Sequence, residues 1–148
     1  MKIYLGSDHA GFKFKQKLSQ FLKKQNIAYE DLGPKELTDG DDYPDYAFKV
    51  AEKVSNDRGS EGLLICGSGA GMVIAANKVK RVRAVLATDI YGAISAKTDD
   101  DANILCLRSR RISFQKVSKI VSSWLKARFR NRDPYLRRVK KVEGYEKK

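Results

Sequence analysis

The stretch that decides the fold is Gly62-Leu63-Leu64-Ile65-Cys66-Gly67-Ser68-Gly69-Ala70-Gly71. Its first half is apolar and predicts a short buried strand, and the three alternating glycines of its second half predict a tight loop. Apolar periodicity from Met72 to Val79 predicts a helix directly after that loop. A strand, a glycine-rich loop and a helix in this order are typical of an α/β fold with parallel strands.

The same alternation of strands and helices continues in both directions along the chain. Strand patterns lie at residues 3–5, 28–32, 62–66, 83–87 and 104–107. Helical patterns separate them, and a last basic helix is predicted to begin near Asp133-Pro134. The strand patterns are nearly continuously apolar, as expected for parallel strands that are covered on both faces. We therefore predict a doubly wound, Rossmann-like three-layer α/β fold with a five-stranded parallel sheet and a C-terminal helical extension.

Ligands of doubly wound sheets bind at the carboxyl ends of the strands, where the sheet's connections change direction. The loops that the sequence places there are residues 6–11, 33–45, 66–71 and 88–103. We expect the functional residues to lie in these loops.

The chain length of 148 residues corresponds to a single domain, 1–148. Its net charge of +12 is concentrated near the end, where residues 126–148 contain ten Lys or Arg against three acidic residues. Such a basic tail can attract phosphate on a polymer or on a small substrate, or it can be a solvated helix face. No nucleic-acid-binding motif or set of interleaved aromatic residues accompanies the charge, so no nucleic-acid partner is expected. We expect residues 130–148 to form a basic extension that packs on a partner subunit.

The sequence indicates a cytoplasmic protein. No apolar run approaches the roughly 20 residues that a membrane helix requires, so no membrane partner is expected. The first residues, MKIYLGSDHAGF, lack the apolar core of a signal peptide. Two cysteines, Cys66 and Cys106, are too few for a disulfide framework, which is consistent with a reducing compartment.

Cys66 is the leading candidate for a reactive group. It ends a buried strand, and the glycine loop after it lets backbone N–H groups converge on an anion at a helix N-terminus. The same electrostatic field favours the thiolate form of a cysteine. The structural alternative is a small buried residue that completes a strand, which is our interpretation of Cys106.

The glycine loop also resembles a dinucleotide-binding loop, but its spacing disagrees. A dinucleotide fingerprint requires G-x-G-x-x-G after the first strand, whereas this loop reads G-x-G-x-G after the third strand and has Met72 in the third glycine's place.

The chain has a single histidine, His9, beside Asp8 in the loop after the first strand. A position between glycines at a strand's carboxyl end favours a contact to phosphate or hydroxyl over a purely structural role. With one histidine and no cluster of Cys and His, no zinc or other metal site is expected, whereas a Cys-His-Asp protease stays open on composition.

Five sequence blocks resemble one enzyme family, ribose-5-phosphate isomerase type B, which shares a superfamily with the galactose-6-phosphate isomerase subunits. The blocks are GSDHAGF (6–12), DYPDYA (42–47), GLLICGSGAGMVIAANK (62–78), RAV (83–85) and DDDANILCLRSR (99–110). The resemblance covers nearly the whole chain in the same order. It implies interconversion of ribose 5-phosphate and ribulose 5-phosphate through an enediolate, without metal or cofactor. It also implies a homodimer, or a dimer of dimers, whose sites take residues from both chains.

The resemblance also implies roles for individual residues. Cys66 is similar to the family's base, and Ser68 to a residue that supports the thiolate. The N–H groups along the loop would hold the developing oxyanion, at Gly67, Gly69, Ala70 and Gly71. Asp8 resembles a residue that binds sugar hydroxyls, and His9 and Arg138 resemble residues that bind phosphate. Further substrate contacts are implied at Tyr43, Asp100 and Arg110.

Two departures from the family pattern leave the sugar open. Asp99 occupies the position of the histidine that opens the furanose ring, and we expect Asp99 to replace it as a catalytic acid. Pro134 occupies the position of the first phosphate-binding arginine, and Arg132 and Arg137 are the candidates to replace that arginine. The alternatives are an isomerase of another pentose phosphate or a hexose 6-phosphate, or a sugar-phosphate-binding protein that has lost ring opening. Retention of Cys66 favours an enzyme, because binding alone requires no thiolate.

Overall fold

A computed structural model describes residues 1–147, and Lys148, the last residue of the predicted extension, lies outside them. Within residues 1–147, five parallel strands form one sheet and six α-helices surround it. The strands are β1 (Ile3–Ser7), β2 (Tyr29–Asp31), β3 (Glu61–Cys66), β4 (Ala84–Leu86) and β5 (Ile104–Arg108). The helices are α1 (Phe12–Lys24), α2 (Tyr43–Asn56), α3 (Ala70–Ala76), α4 (Ile90–Asp100), α5 (Phe114–Lys126) and α6 (Tyr135–Tyr145). The predicted doubly wound α/β fold with a five-stranded parallel sheet is confirmed.

The strand order is β2-β1-β3-β5-β4, so the chain leaves β1 towards one side of the sheet and later returns to add β3 on the other side. One hydrophobic core joins α1, α4 and α5 to one face of the sheet, and a second joins α2 and α3 to the other face. The order of connection therefore reverses between β1 and β3. A crevice opens at the carboxyl ends of strands at such a switch point.

Helix α5 shows how the sequence specifies a layer. Five of its apolar residues recur at helical spacing and are buried: Val117, Ile120, Val121, Trp124 and Leu125. The Ser113 hydroxyl accepts a hydrogen bond from the backbone N–H of Lys116, which caps the first turn. The amphipathic stripe and the cap together define where the helix begins and which face it buries.

The loop after β1 packs directly on the end of β3. A Cβ atom at Gly11 would lie 2.4 Å from the carbonyl oxygen of Ile65, so only glycine fits there. The Asp8 carboxylate accepts a hydrogen bond of 3.0 Å from the Gly11 N–H and so closes a single 3₁₀ turn over His9–Gly11. The backbone N–H of Asp8 donates to the same Ile65 carbonyl. These contacts hold the Asp8-His9 pair beside the carboxyl end of β3.

The inclusion of segment 88–103 among the loops at the carboxyl ends of the strands was wrong for most of its length. Residues 90–100 form α4, which carries the chain back to the amino edge, where β5 begins at Ile104. A crossover between two parallel strands must return to the starting edge, and here the helix makes the whole return. Asp99 and Asp100 therefore lie at the edge opposite to Cys66.

The C-terminal extension contacts its own chain. Helix α6 packs on α4 and buries Val139. The Arg83 guanidinium bridges Asp101 after α4, at 2.7 Å, and Glu143 of α6, at 3.3 Å. These ion pairs fasten α6 to the amino edge of the sheet. The predicted packing of residues 130–148 on a partner subunit stays a prediction.

Candidate active site

The Cys66 thiol lies under the glycine loop at the carboxyl end of β3. The Sγ atom accepts a hydrogen bond of 3.0 Å from the backbone N–H of Gly69, and only 5% of the residue's surface is exposed. Gly69 has a φ of +82°, and a Cβ atom there would lie 2.5 Å from Leu86 Cδ1. The left-handed turn and the close packing both require glycine, and together they aim an N–H group at the sulfur atom.

The first turn of α3 leaves further N–H groups available. The Ser68 hydroxyl accepts a hydrogen bond of 3.3 Å from the Ala70 N–H, so in the described chain it supports the loop rather than the Cys66 sulfur. The N–H groups of Gly71 and Met72 follow in the same turn, where an α-helix provides no partner. The loop can therefore offer several aligned donors to an anion beside Cys66.

Two side chains from distant elements border the loop. A Cβ atom at Gly71 would lie 2.7 Å from Tyr43 Cζ, which places that ring, at the start of α2, against the loop. A Cβ atom at Gly67 would lie 3.0 Å from Arg110 Cζ, so the guanidinium packs on Gly67. The backbone N–H of Arg110 donates a hydrogen bond to the Gly67 carbonyl. The structure therefore brings Tyr43 and Arg110 to the rim of the same loop, and their contacts to substrate stay a prediction.

Asp8 and His9 complete this side of the crevice. Burial raises the pKa of Asp8 above its ordinary value, although the Gly11 N–H acts in the opposite direction. The His9 ring is held by Asp41, whose Oδ1 atom lies 2.8 Å from His9 Nδ1. This hydrogen bond raises the pKa of His9. Burial acts to raise the pKa of Asp41, but the hydrogen bonds from His9 and Tyr46 and the charge of His9 together outweigh it, and the pKa lies below its ordinary value.

Three predicted site residues lie elsewhere. Asp99 and Asp100 end α4 at the amino edge, and Arg138 is exposed on α6. The Asp99 Oδ1 atom lies 3.3 Å from Arg130 Nε and accepts a hydrogen bond from the Thr98 hydroxyl. Within a single chain, these three residues therefore lie away from Cys66.

Arg130 is the guanidinium that the structure places beside Asp99. It also lies over the Tyr135 ring, with its Cζ atom 4.6 Å from the ring centroid, and it donates to the Tyr135 hydroxyl. Of the two arginines considered as substitutes at Pro134, Arg137 pairs with Asp133. The sequence contained no signal for the Arg130 contacts, because they join residues that are brought together only by the packing of α4 and α6.

Sequence reasoning also missed Asp41 and Arg108. Asp41 lies in the acidic stretch before α2, where nothing in the sequence distinguishes it from its acidic neighbours. Arg108 ends β5 and pairs with Cys66 across the sheet, and its Nε atom is buried without a hydrogen-bond partner among residues 1–147. Its position directly after the apolar run 104–107 was the available signal.

A cleft of about 860 Å³ lies at the amino ends of the strands and does not include Cys66. Its charged groups already neutralise one another in part, since Lys97 pairs with Glu61, and Arg83 pairs with Asp101 and Glu143. In the described part of the chain, no three Cys, His, Asp or Glu side chains converge to hold a metal ion. No helix in that part is long and apolar enough to cross a membrane.

Comparisons with known proteins agree with one another. A family model described as Ribose/Galactose Isomerase matches residues 3–142. A probable ribose-5-phosphate isomerase B of Mycoplasma pneumoniae is 43% identical over 145 residues, which cover 98% of this chain and 95% of that protein. The crystal structure of ribose-5-phosphate isomerase B from Mycoplasma genitalium with bound ribulose-5-phosphate superposes with a TM-score of 0.95 at 43% identity, covering 99% and 97% of the two chains. D-erythrulose-4-phosphate isomerase 2 of Mycolicibacterium smegmatis is 35% identical over 148 residues, which cover 99% of this chain and 97% of that protein.

The two thiols are expected to differ sharply in reactivity. Cys106 is fully buried, and burial raises the pKa of its thiol. Cys66 lies at the carboxyl end of β3, and the Gly69 N–H donates a hydrogen bond to its sulfur. Limited treatment of the folded protein with iodoacetamide should therefore alkylate Cys66 and spare Cys106, as measured by peptide mass spectrometry. Equal labelling of both thiols in the folded protein would contradict this description of the site.

Proposed function

The chain belongs to the ribose/galactose isomerase family, and we propose that it interconverts ribose 5-phosphate and ribulose 5-phosphate with Cys66 as the base. The observation that carries the assignment of the base is the position of the Cys66 sulfur. It lies at the switch point of the sheet, under a loop that offers backbone N–H groups. A thiolate beside aligned donors suits a reaction that removes a proton from carbon while an oxyanion forms.

In the proposed reaction, the thiolate takes the proton from C2 of the open-chain aldose. The electrons of that C–H bond form the C1–C2 double bond, and the carbonyl oxygen on C1 becomes an oxyanion. The N–H groups of the first turn of α3 that have no partner in the helix, at Gly71 and Met72, stabilise this enediolate, because those of Gly69 and Ala70 already donate to Cys66 Sγ and to the Ser68 hydroxyl. The thiol then returns the proton to C1 while the proton on the C2 hydroxyl is transferred to the C1 oxygen, which leaves the ketose. These steps require no cofactor.

The remaining groups around the loop are proposed to bind the substrate. The Asp8 carboxylate is positioned by Gly11 and suits a hydrogen bond from a sugar hydroxyl. His9 and Arg110 provide donors for anionic oxygens, and the Tyr43 ring lies against the same loop. Arg108, which pairs with Cys66 on the neighbouring strand and whose buried Nε atom has no partner among residues 1–147, is proposed as a further donor to substrate oxygens.

The other half of the site is proposed to come from a second copy of the chain. Strand β5 separates the edge of Asp99 and Asp100 from the edge of Cys66, and its five residues span roughly 16 Å at about 3.3 Å per residue. Side chains at opposite edges of one sheet cannot hold the same small sugar. In a homodimer, Asp99, Asp100 and Arg138 of one chain would face Cys66 of the other.

An exposed apolar surface around the edge strand β4 supports such a homodimer. It consists of Leu86 on β4, Ile74 on α3, and Ile90, Tyr91 and Ile94 on α4. Tyr91 is 81% exposed and Ile74 62% exposed, which is unusual for large apolar side chains unless a partner covers them. We propose that this surface is the dimer interface, and that the enzyme is cytoplasmic, where its free Cys66 thiol stays reduced.

A second candidate function is the same chemistry on another sugar phosphate. Two observations favour it: Asp99 replaces the expected ring-opening histidine, and one relative is named D-erythrulose-4-phosphate isomerase. Both candidates share the enediolate. Exchange of the substrate proton in deuterated water, measured for tetrose, pentose and hexose phosphates, identifies the preferred sugar.

Replacing Cys66 by Ala should abolish exchange of the C2 proton while substrate binding persists. Loss of a general base costs roughly 10²–10⁴-fold, whereas the groups that bind phosphate are untouched. Proton exchange by NMR and binding by calorimetry are the measurements. Cys106→Ala is the matched control and should retain exchange near the wild-type rate. Wild-type exchange by Cys66→Ala would exclude Cys66 as the base.

Mixing two impaired variants should restore activity if each site is shared between chains. Cys66→Ala and Arg138→Ala disable different halves, so a mixed dimer contains one intact site and one doubly impaired site. After joint refolding, activity at low substrate concentration should reach about a quarter of the wild-type value, given random pairing in a two-fold dimer. No recovery in a mixture that forms mixed dimers would show that both residues act within one chain.

The role of Asp99 can be tested by comparing the two reaction directions. Ribulose 5-phosphate cannot form a furanose ring because its C5 oxygen carries the phosphate. If Asp99 opens the ring of ribose 5-phosphate, Asp99→Asn should slow turnover of ribose 5-phosphate by ~10²-fold or more. Initial proton exchange from ribulose 5-phosphate should decline much less. Equal losses in both directions would indicate that Asp99 binds substrate or supports the structure instead.

A further inference from the structure

The His9 ring is held by a carboxylate that the proposed reaction does not use. The Asp41 Oδ1 atom lies 2.8 Å from both the backbone nitrogen and the Nδ1 atom of His9. The Asp41 side chain is 9% exposed, whereas the His9 side chain is 34% exposed. A nearly buried carboxylate thus fixes an accessible imidazole by two hydrogen bonds to one oxygen atom.

The hydrogen bond at Nδ1 determines what the ring can present. A ring whose Nδ1–H donates to a carboxylate has only its Nε2 atom left for another partner. We propose that Asp41 is a positioning residue, which holds His9 by Nδ1 so that Nε2–H is presented to the phosphate group of the sugar phosphate. This inference rests on the proposed function, because it takes a phosphorylated substrate as the ligand of this crevice.

The charges around His9 give the contact a defined pH dependence. The groups that act on the ring are Asp41 from the loop before α2, Asp8 from the ring's own loop and, through its contact with Asp41, Tyr46 of α2. The hydrogen bond with Asp41 and the attraction of Asp8 raise the pKa of His9. The ring therefore stays cationic to a higher pH than a free histidine. Above its raised pKa the ring loses its charge, and its attraction for phosphate falls.

The variant Asp41→Asn removes the negative charge of the side chain but keeps its size and shape. Asparagine retains a carbonyl oxygen that can accept from His9, but it carries no charge, so the pKa of His9 should fall towards the ordinary value of 6.5. His9 is the only histidine in the chain, so one imidazole resonance in the NMR spectrum reports its titration without ambiguity. Asp39→Asn is the matched control, because it removes the same charge from an exposed position in the same loop.

The kinetic test is the dependence of KM on pH. Substrate phosphate is a dianion above about pH 7, since its second pKa is near 6, so changes in KM above that pH report on the protein. The KM of Asp41→Asn should begin to rise at a lower pH than that of the wild type or Asp39→Asn, and the largest difference between the profiles, in the pH range between the two pKa values of His9, should approach roughly tenfold, the effect of one charge-assisted contact. At pH 6, where His9 is charged in every variant, the difference should nearly vanish, and kcat should change little at either pH.

A second pair of variants distinguishes action through His9 from general damage. In a His9→Gln background, Asp41→Asn should cause no further increase in KM, whereas independent structural damage would add to the first effect. An unchanged His9 titration in Asp41→Asn would overturn the proposal. A lowered pKa with superimposable KM profiles would also overturn it, because the charge would then not reach the substrate. The titration needs no substrate, and wild-type turnover tests the proposed function by itself, so the two failures are distinguishable.

Discussion

No side chain larger than hydrogen fits at Gly11, because a Cβ atom would lie 2.4 Å from the Ile65 carbonyl oxygen. This close approach lets the loop after β1 lie directly on the end of β3, where the Asp8 N–H donates to the same carbonyl. His9 therefore lies next to the strand that ends at Cys66. The candidate site depends on this contact, since the residues after β1 and β3 belong to distant parts of the sequence.

The parts of this arrangement that the sequence predicts are those with a local physical cause. Apolar runs predicted the five strands, and helical periodicity predicted the stripe on α5. The alternating glycines after Cys66 predicted an anion-binding loop, because backbone freedom and a helix N-terminus are local properties. The family resemblance added Tyr43 and Arg110, and the structure places both against that loop.

The parts that the sequence did not predict arise from contacts between distant segments. Asp41 is one of several acidic residues before α2, and only folding brings it, rather than its neighbours, to His9. The pairing of Arg130 with Asp99 likewise requires α6 to pack on α4. The length of α4 decides whether Asp99 lies at the carboxyl or the amino edge, and helix ends are poorly determined by periodicity alone.

The unequal burial of the two thiols also has a consequence for oxidation. Cys106 pairs with Leu64, two residues before Cys66, so the two cysteines are diagonal neighbours across the sheet. Diagonal Cα atoms on adjacent strands lie about 7–8 Å apart, beyond the reach of an unstrained disulfide. A sulfenic acid formed on Cys66 would therefore find no resolving thiol within its own chain. Its recovery would depend on a small thiol from solution, and until one arrived the sulfur would be exposed to further, irreversible oxidation.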